Sequence, residues 1–339
     1  MNWLACELLL IAICTALVCV VPGVFLVLRG VSLMSDAMSH ALLLGIVGMF
    51  LWVRSLHSPL LLVGAGIAGF AVVVLTEWSM ARCKLPKDAA IGLFFPFFFS
   101  CAVMLITCYA RDTHLDTDIV LLGDLVFAPF SRCVLGGIDY GPTALIVGLC
   151  MTLMTIVTFM LLRVRLITVL FDPVFASVTQ ARPAMVYYGM MLLTSMVAVS
   201  VFSLVGSVVV VALMIVPAAS AWCTARSVDQ MLVHAASYSI VAAVCGYACA
   251  AIGDYSIVGS IAIWTGILFL CVVIGAPRTG LIGKMWTHGH QWLAISSRYV
   301  KQHIRENSGI CDAVTIRVTY GWSLWWTWCV LWYIHCKTK

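Results

Sequence analysis

Long apolar runs recur along the chain, and short polar or glycine- and proline-containing breaks separate them. Crossing the hydrocarbon core of a bilayer takes about 20 apolar residues in a helix, so this pattern predicts about nine transmembrane helices. The expected ranges are 4–28, 35–53, 59–78, 89–110, 143–162, 184–204, 206–223, 231–252 and 256–276. The predicted fold is therefore all-α, a polytopic transmembrane helical bundle whose core is shared among its helices.

Two regions do not fit this pattern. Residues 119–135 are interrupted by glycine, proline and charged residues, which favours a short re-entrant or surface helix over a span. We expect a transmembrane domain at 1–284, followed at 285–339 by a basic and then tryptophan-rich extension. This extension would lie in the membrane interface, pack on another chain or add a tilted crossing. The interruptions in 119–135 are Gly123, Asp124, Pro129 and Arg132.

Composition and charge agree with membrane insertion. The chain is 63% hydrophobic and 10% charged, whereas a soluble domain is about 45–50% apolar. If the N-terminus lies outside, ten basic residues fall in the cytoplasm and three outside, which satisfies the positive-inside rule. The inner residues are Arg29, Arg82, Lys84, Lys87, Arg163, Arg165, Arg182, Arg226, Arg278 and Lys284, and the outer ones are Arg54, Arg111 and Arg132.

Acidic residues lean toward the opposite, outer side of the predicted topology. An acidic outer face would concentrate cations, although a solvated acidic loop without a role explains the pattern equally well. The basic residues are spread over loops and the C-terminal region, so nucleic-acid binding is disfavoured. The outer acidic residues are Asp112, Asp116, Asp118, Asp124, Asp139 and Asp254.

Motifs for catalysis and nucleotide binding are missing from the sequence. The fifteen cysteines lie almost entirely in apolar runs and form no CxxC pair, which is typical of small buried thiols. No GxxxxGK[ST], GxSxG or HExxH motif occurs. The chain is therefore expected not to be an enzyme, and energy for any transport would come from a partner or a gradient.

A polar stripe runs down one face of the second predicted span. Its members are spaced at i, i+3, i+4, i+7 and i+8, so they share one side of a helix. An acid and an imidazole in a segment that otherwise reads as lipid-embedded are costly to bury without a partner, a water-filled path or a metal. The stripe comprises Ser32, Ser35, Asp36, Ser39 and His40.

Three interpretations of Asp36 and His40 follow from their chemistry. The two groups satisfy each other structurally, relay protons, or bind a divalent cation, for which carboxylate oxygen and neutral imidazole nitrogen suit manganese, zinc or ferrous iron. Two ligands are too few for a stable metal site. Two copies of the chain about a twofold axis would supply two carboxylates and two imidazoles, enough for a transit site.

Two further positions are candidates for coupling and gating. Between two spans on the cytoplasmic side, Pro173 can begin a short helix with Asp172 at its N-terminus. Phe171 and Phe175 would then lie one turn apart and enter a groove on a soluble partner, unless they merely anchor an interfacial loop. Pro217 would bend its span, either as a gating hinge or as a packed kink.

Several strings in this sequence resemble, in family order, the motifs of the ABC-3 metal permease family. The resemblance covers roughly residues 5–276 and includes the segment that carries Asp36 and His40. The strings are Arg29-Gly-Val-Ser-Leu-Met-Ser-Asp36-Ala-Met-Ser-His40-Ala, Lys87-Asp-Ala-Ala-Ile-Gly92, Leu121-Leu-Gly-Asp-Leu125, Phe171-Asp-Pro-Val-Phe-Ala176 and Val205-Gly-Ser-Val-Val-Val-Val-Ala-Leu-Met-Ile-Val-Pro-Ala-Ala219.

The resemblance implies an ABC importer permease for manganese, zinc or iron in the bacterial cytoplasmic membrane. The distribution of basic residues predicts that its N-terminus lies outside. The resemblance also implies a second permease copy or paralogue, a separate cytoplasmic ATPase and an extracytoplasmic metal-binding protein as partners. Asp36 and His40 would lie on the metal path. The region that contains Phe171, Asp172, Pro173 and Phe175 would couple to the ATPase. The metal is cargo, and no permanently bound cofactor is expected.

Two other transport functions remain open from the residues alone. A permease for a metal chelate or vitamin would have a wide, aromatic-lined cavity and no need of a bare ion ligand. A proton-coupled secondary carrier would work without an ATPase.

Overall fold

The computed structural model describes most of the predicted transmembrane region. The described residues are 2–54, 58, 60–109, 125–135, 138–178, 182–276, 280, 295–298 and 330. Most of the predicted C-terminal extension lies outside them. So do the acidic residues Asp112, Asp116, Asp118 and Asp124 and the basic residues Arg111, Arg278 and Lys284.

Ten α-helices, one 3-10 helix and two short strands make up the described chain. The helices before the strands are α1 Asn2–Val18, α2 Val20–Arg29, α3 Leu33–Val53, α4 Leu60–Cys83, α5 Lys87–Tyr109 and the 3-10 helix Leu125–Phe130. The strands are β1 Arg132–Leu135 and β2 Ile138–Pro142. The remaining helices are α6 Thr143–Phe171, α7 Pro173–Val178, α8 Pro183–Thr224, α9 Val228–Gly253 and α10 Ile257–Gly275.

Eight helical stretches among the described residues are long and apolar enough to cross a membrane, with α1 and α2 counted as one. The longest, α8, has 42 residues, which would extend about 63 Å as a straight helix and exceed a bilayer core of about 30 Å. It is interrupted at Gly206, where φ is 74° and ψ is 172°. Only glycine adopts this backbone conformation without strain.

Contacts on α2 show that the chain reverses direction at this interruption. The Tyr187 ring lies 6.2 Å from the Phe25 ring, and the backbone of Met214 packs directly against Gly23. Tyr187 and Met214 would be about 40 Å apart on a straight helix, yet both contact the same turn of α2. The predicted spans 184–204 and 206–223 are therefore two helices, and the predicted number of about nine is confirmed.

The centre of the bundle is formed by α2, α3 and α8, and α6 lies at its periphery. The α3 helix also packs closely on α4, because Gly45 and Gly64 face each other across the contact. A Cβ atom on Gly64 would lie 2.7 Å from the Gly45 carbonyl oxygen. These small residues thus allow two transmembrane backbones to approach closely, as is typical of glycines at helix contacts. Large side chains buried at the centre include Ile11, Leu26, Met34, Met38, Leu42, Met190, Met191, Leu213 and Met214.

The described part of segment 119–135 is not a span. It forms the 3-10 helix and β1, which pairs antiparallel with β2. An ion pair at 3.3 Å joins Arg132 to the buried Glu7 of α1, and the Arg132 guanidinium lies 5.2 Å from the Trp3 ring centroid. The predicted short helix is therefore present as a 3-10 helix. The hairpin was not predicted, because its attachment to α1 depends on residues far apart in sequence.

One predicted span ends earlier than its helix does. The pattern ends the fifth span at residue 162, but α6 continues to Phe171. Arg163 forms a bidentate ion pair with Asp229 of α9. The helix thus continues beyond its apolar part because partners and solvent satisfy its charged side chains.

The chain separates into two compact units, Met1–Cys271 and Val272–Lys339. The first contains α1 to α9 and most of α10. Within the second, the described residues include the last turn of α10 and a helical turn at 295–298, where Ser296 and Ser297 are buried. The domain boundary predicted between 284 and 285 stays a prediction.

Replacing Gly45 by alanine is expected to destabilise the bundle. Its added methyl group would clash with the Gly64 backbone, and overpacking of this kind costs about 1–3 kcal/mol. Gly48→Ala is the matched control, because a Cβ on Gly48 meets no atom within 4 Å. Thermal unfolding in detergent should show a lower Tm for Gly45→Ala alone, and equal Tm values for the two variants would contradict the packing described.

Gly206→Ala is expected to disrupt the reversal within α8. A side chain at this φ and ψ costs about 1–3 kcal/mol, whereas Gly189 of the same helix is helical and open to a Cβ. Hydrogen exchange should therefore accelerate around residues 203–209 in Gly206→Ala but not in Gly189→Ala. Unchanged protection in both variants would show that the break does not depend on glycine.

Candidate metal site and coupling segment

Asp36 and His40 lie one turn apart in the first two turns of α3. The His40 Nε2 atom is 3.4 Å from Asp36 Oδ1, and the side chains are 20% and 42% exposed respectively. The helix begins here because Gly30, with φ of 68°, ends α2 in a left-handed turn whose N–H bonds to the carbonyls of Leu26 and Val27. The pair therefore contacts itself while keeping an accessible surface.

Two of the three serines of the predicted stripe turn away from this accessible surface. Ser35 and Ser39 are fully buried. The Ser39 hydroxyl donates to the Ser35 carbonyl at 2.9 Å, and the Ser35 hydroxyl donates to the Met214 Sδ atom at 3.1 Å. The stripe thus divides into a buried serine side that packs toward α8 and an accessible side that carries the acid and the imidazole.

His40 is held between its own helix and two aromatic rings of α5. Its ring centroid is 4.7 Å from that of Phe95 and 5.5 Å from that of Phe99, both in edge arrangements. Its Nδ1 atom is buried and has no hydrogen-bond partner among the described residues. A buried imidazole nitrogen without a partner costs free energy, so the ring is oriented by packing rather than by a hydrogen bond at that atom.

One chain cannot complete a metal site from the residues the structure describes. They contain no group of three or more His, Cys, Asp or Glu side chains arranged to hold an ion. Asp36 and His40 together offer oxygen and nitrogen donors, the set that borderline divalent metals accept. A complete site therefore needs donors from beyond the described residues.

The predicted cytoplasmic segment has the local structure that its residues favour. The helix α7 begins at Pro173, and the Asp172 Oδ1 atom accepts a hydrogen bond of 2.8 Å from the Phe175 backbone N–H. This is an N-cap interaction, which satisfies one of the free N–H groups at a helix start. Phe171 is 64% exposed and Phe175 is 56% exposed, so both rings lie on the surface of the chain.

Pro217 is buried inside the second half of α8. The non-helical residue of α8 is Gly206, not Pro217. A role of Pro217 in gating therefore stays a prediction. Sequence reasoning did not single out Gly206, although a glycine between two apolar runs was a usable signal.

Sequence reasoning also missed a polar cluster at the end of the bundle where α2 and α4 end. The Tyr187 hydroxyl donates to Glu77 Oε1 at 2.5 Å, and the Arg29 guanidinium lies 5.2 Å from the Tyr187 ring centroid. The Lys87 Nζ atom donates to the Arg29 carbonyl at 3.3 Å. These contacts join α2, α4, α5 and α8. The detectable signal was Glu77, an acidic residue within a predicted span.

Comparisons with known proteins agree with this architecture. The sequence matches the ABC 3 transport family over residues 4–276. It is 38% identical over 280 residues to the zinc transport system membrane protein TroD of Treponema pallidum, covering 82% of this chain and 76% of TroD. It is 32% identical over 266 residues to the manganese transport system membrane protein MntD of Bacillus subtilis, covering 78% of this chain and 90% of MntD.

Among solved structures, PsaBC from Streptococcus pneumoniae in complex with Fab superposes with a TM-score of 0.67 at 24% identity, covering 80% of this chain and 92% of that chain. At this identity the likeness concerns the fold, and it confirms the predicted polytopic transmembrane helical bundle. The family match extends over most of the chain and includes both the Asp36 and the Phe171 motifs. The chain therefore belongs to the ABC 3 transport family, as its motifs predicted.

Proposed function

We propose that this chain is the membrane-spanning permease subunit of an ATP-driven importer for divalent manganese, zinc or iron. The observation that carries the proposal is the Asp36/His40 pair, which combines a 42% exposed carboxylate with an oriented imidazole inside an apolar bundle. The named relatives are membrane proteins of zinc and manganese transport systems. The metal is the cargo of this subunit, and no resident cofactor is proposed.

The site is completed by a second permease, either an identical copy or a paralogue. Each chain contributes one oxygen and one nitrogen donor, so two chains supply four ligands. Asp36 and His40 use only part of their bonding capacity on each other. They therefore hold a passing ion without trapping it. The accessible side of Asp36 and the aromatic support of His40 favour this shared arrangement.

Energy comes from a separate cytoplasmic ATPase, which contacts the Phe171–Ala176 segment. The sequence has no phosphate-binding loop of its own. The exposed rings of Phe171 and Phe175, one turn apart across the capped start of α7, suit a groove on a soluble partner. The acidic residues of the outer loops would receive metal from an extracytoplasmic binding protein. In the proposed topology, the N-terminus lies on the outer side of the bacterial cytoplasmic membrane.

Replacing either ligand is expected to abolish most metal uptake. Asp36→Asn removes the anionic oxygen and His40→Ala removes the imidazole, so each should lower uptake of manganese or zinc roughly ten-fold or more, since even outer-shell partners of metal ligands are worth 10–100-fold. The measurement is radiolabelled or fluorescent metal uptake into proteoliposomes that contain the assembled transporter and ATP.

Matched controls are Asp88→Asn and His234→Ala. Asp88 is exposed in the first turn of α5, and His234 contacts the Thr224 hydroxyl at 3.0 Å, outside the site. Both controls should transport normally. Normal uptake by Asp36→Asn would instead favour a permease for a chelate, and gradient-driven uptake without an ATPase would favour a secondary carrier.

Removing the exposed rings of the coupling segment should separate ATP hydrolysis from transport. A Phe171→Ala, Phe175→Ala double variant loses the apolar contacts proposed for the ATPase, so we expect transport to fall about ten-fold or more while the permease keeps its thermal stability. The loss of two aromatic rings from the core of a protein–protein interface is large enough for such an effect.

The control for this experiment is Phe127→Ala, a similarly exposed ring on the 3-10 helix. Pull-down of the ATPase with the permease and metal uptake are measured together. If the double variant still binds the ATPase and still takes up metal, the segment has no coupling role.

A further inference from the structure

A deep groove lies on the bundle between α1, α4, α6 and the first half of α8. Its volume is about 560 Å³. It begins near Thr143, where α6 starts, and follows the first turns of that helix past Val147 and Met151. Because α4 and α6 are both long and apolar enough to cross a membrane, we place most of the groove alongside the hydrocarbon of one half of the bilayer.

The hydroxyl groups along the groove are already used within the protein. Thr15 donates to the Ile11 carbonyl at 2.7 Å, Ser200 to Val197 at 2.9 Å, and Ser203 to Ser200 at 3.1 Å.

At the end of the groove, the hydroxyls of Ser131 and Thr143 lie 2.6 Å apart and bond to each other. The described residues that line the groove include no charged side chain. The groove therefore offers an apolar wall without spare polar partners, which excludes a hydrated ion or a sugar as its natural occupant.

The groove opens toward the membrane. The helices α4 and α6 both pack on α8 but make no substantial contact with each other in the described chain. Ile67, Val147 and Met196 line the gap between them and remain exposed. Inside a bilayer, the medium at such an opening is the acyl chains of lipid.

The volume and the apolar lining of the groove indicate whether water, empty space or lipid fills it. Apolar cavities exclude water, and an unfilled groove loses dispersion contacts along its whole lining. A volume of this size is in the range that holds one discrete small molecule, roughly 300–1,000 Å³. We propose that the groove binds one acyl chain of a membrane phospholipid, which fills the space between α4 and α6 and supports the first half of α8.

The proposal is independent of the metal site. Groove and Asp36/His40 share no residue, and the groove contacts the outer turns of α8 close to the reversal at Gly206. Because the lining carries no charge, the acyl chain of the phospholipid determines binding, and its headgroup does not. Phosphatidylglycerol and phosphatidylcholine with the same chains should therefore bind alike.

Gly66→Leu tests the proposal directly. Gly66 lines the groove, and a Cβ atom added there meets nothing within 4 Å, so a leucine would fill the space without a backbone clash. Gly189→Leu is the control, because Gly189 lies on α8 outside the groove and is equally open. Each protein is delipidated in detergent and titrated with dioleoylphosphatidylglycerol, dioleoylphosphatidylcholine or oleate, with bound lipid counted by native mass spectrometry.

We expect wild type and Gly189→Leu to bind one phospholipid of either headgroup at least ten-fold more tightly than Gly66→Leu. The same phospholipid should raise the Tm of the first two proteins but not that of Gly66→Leu, since a ligand of the native state stabilises it. If Gly66→Leu does not fold, Val147→Trp at the mouth of the groove replaces it.

Three results would overturn the proposal. Equal phospholipid affinity in wild type and the filled variant would place the lipid elsewhere. Absence of a tightly bound lipid on wild type would mean that protein, from this chain or a second copy, covers the groove. Binding of oleate in preference to both phospholipids would identify a free fatty acid as the occupant.

Discussion

The absence of water from the bilayer core is the constraint on which the structure depends. A polar group placed there must find its partner within the protein. Backbone groups find it in helices, and several hydroxyls of the spans, such as those of Thr15 and Thr265, find it at carbonyls one turn earlier. Ionisable side chains are the hardest to satisfy in this way, so their positions carry most of the functional information.

The ionisable groups of the bundle fall into two kinds. Glu7 pairs with Arg132, and Glu77 accepts a hydrogen bond from Tyr187. These contacts join elements that are distant in sequence, so they stabilise the fold. Asp36 and His40 contact each other within one helix and join nothing else by hydrogen bonds in the described chain. The His40 ring packs on α5, but the polar atoms of the pair bond no other described element, and this supports the proposed transit role.

Close backbone approach and chain reversal give the bundle its geometry. Gly45 and Gly64 allow α3 to lie directly on α4, while Gly206 lets α8 turn back at the same level as the apolar groove. The central α3 helix therefore contacts α4, α5 and α8, with the His40 ring packed on α5 and the Asp36 carboxylate accessible. The same arrangement separates α4 from α6 and creates a surface whose chemistry matches lipid, not metal.

The sequence by itself determined the helices, the approximate number of spans, the one-turn spacing of Asp36 and His40 and the capped start of α7. All of these depend on apolar run length or on residues three to four positions apart, and such interactions are local. Tertiary structure alone decided the hairpin held by Arg132, the Glu77 cluster and the groove. Each arises from contacts between residues far apart in the chain, and hydrophobic periodicity carries no information about which apolar faces meet.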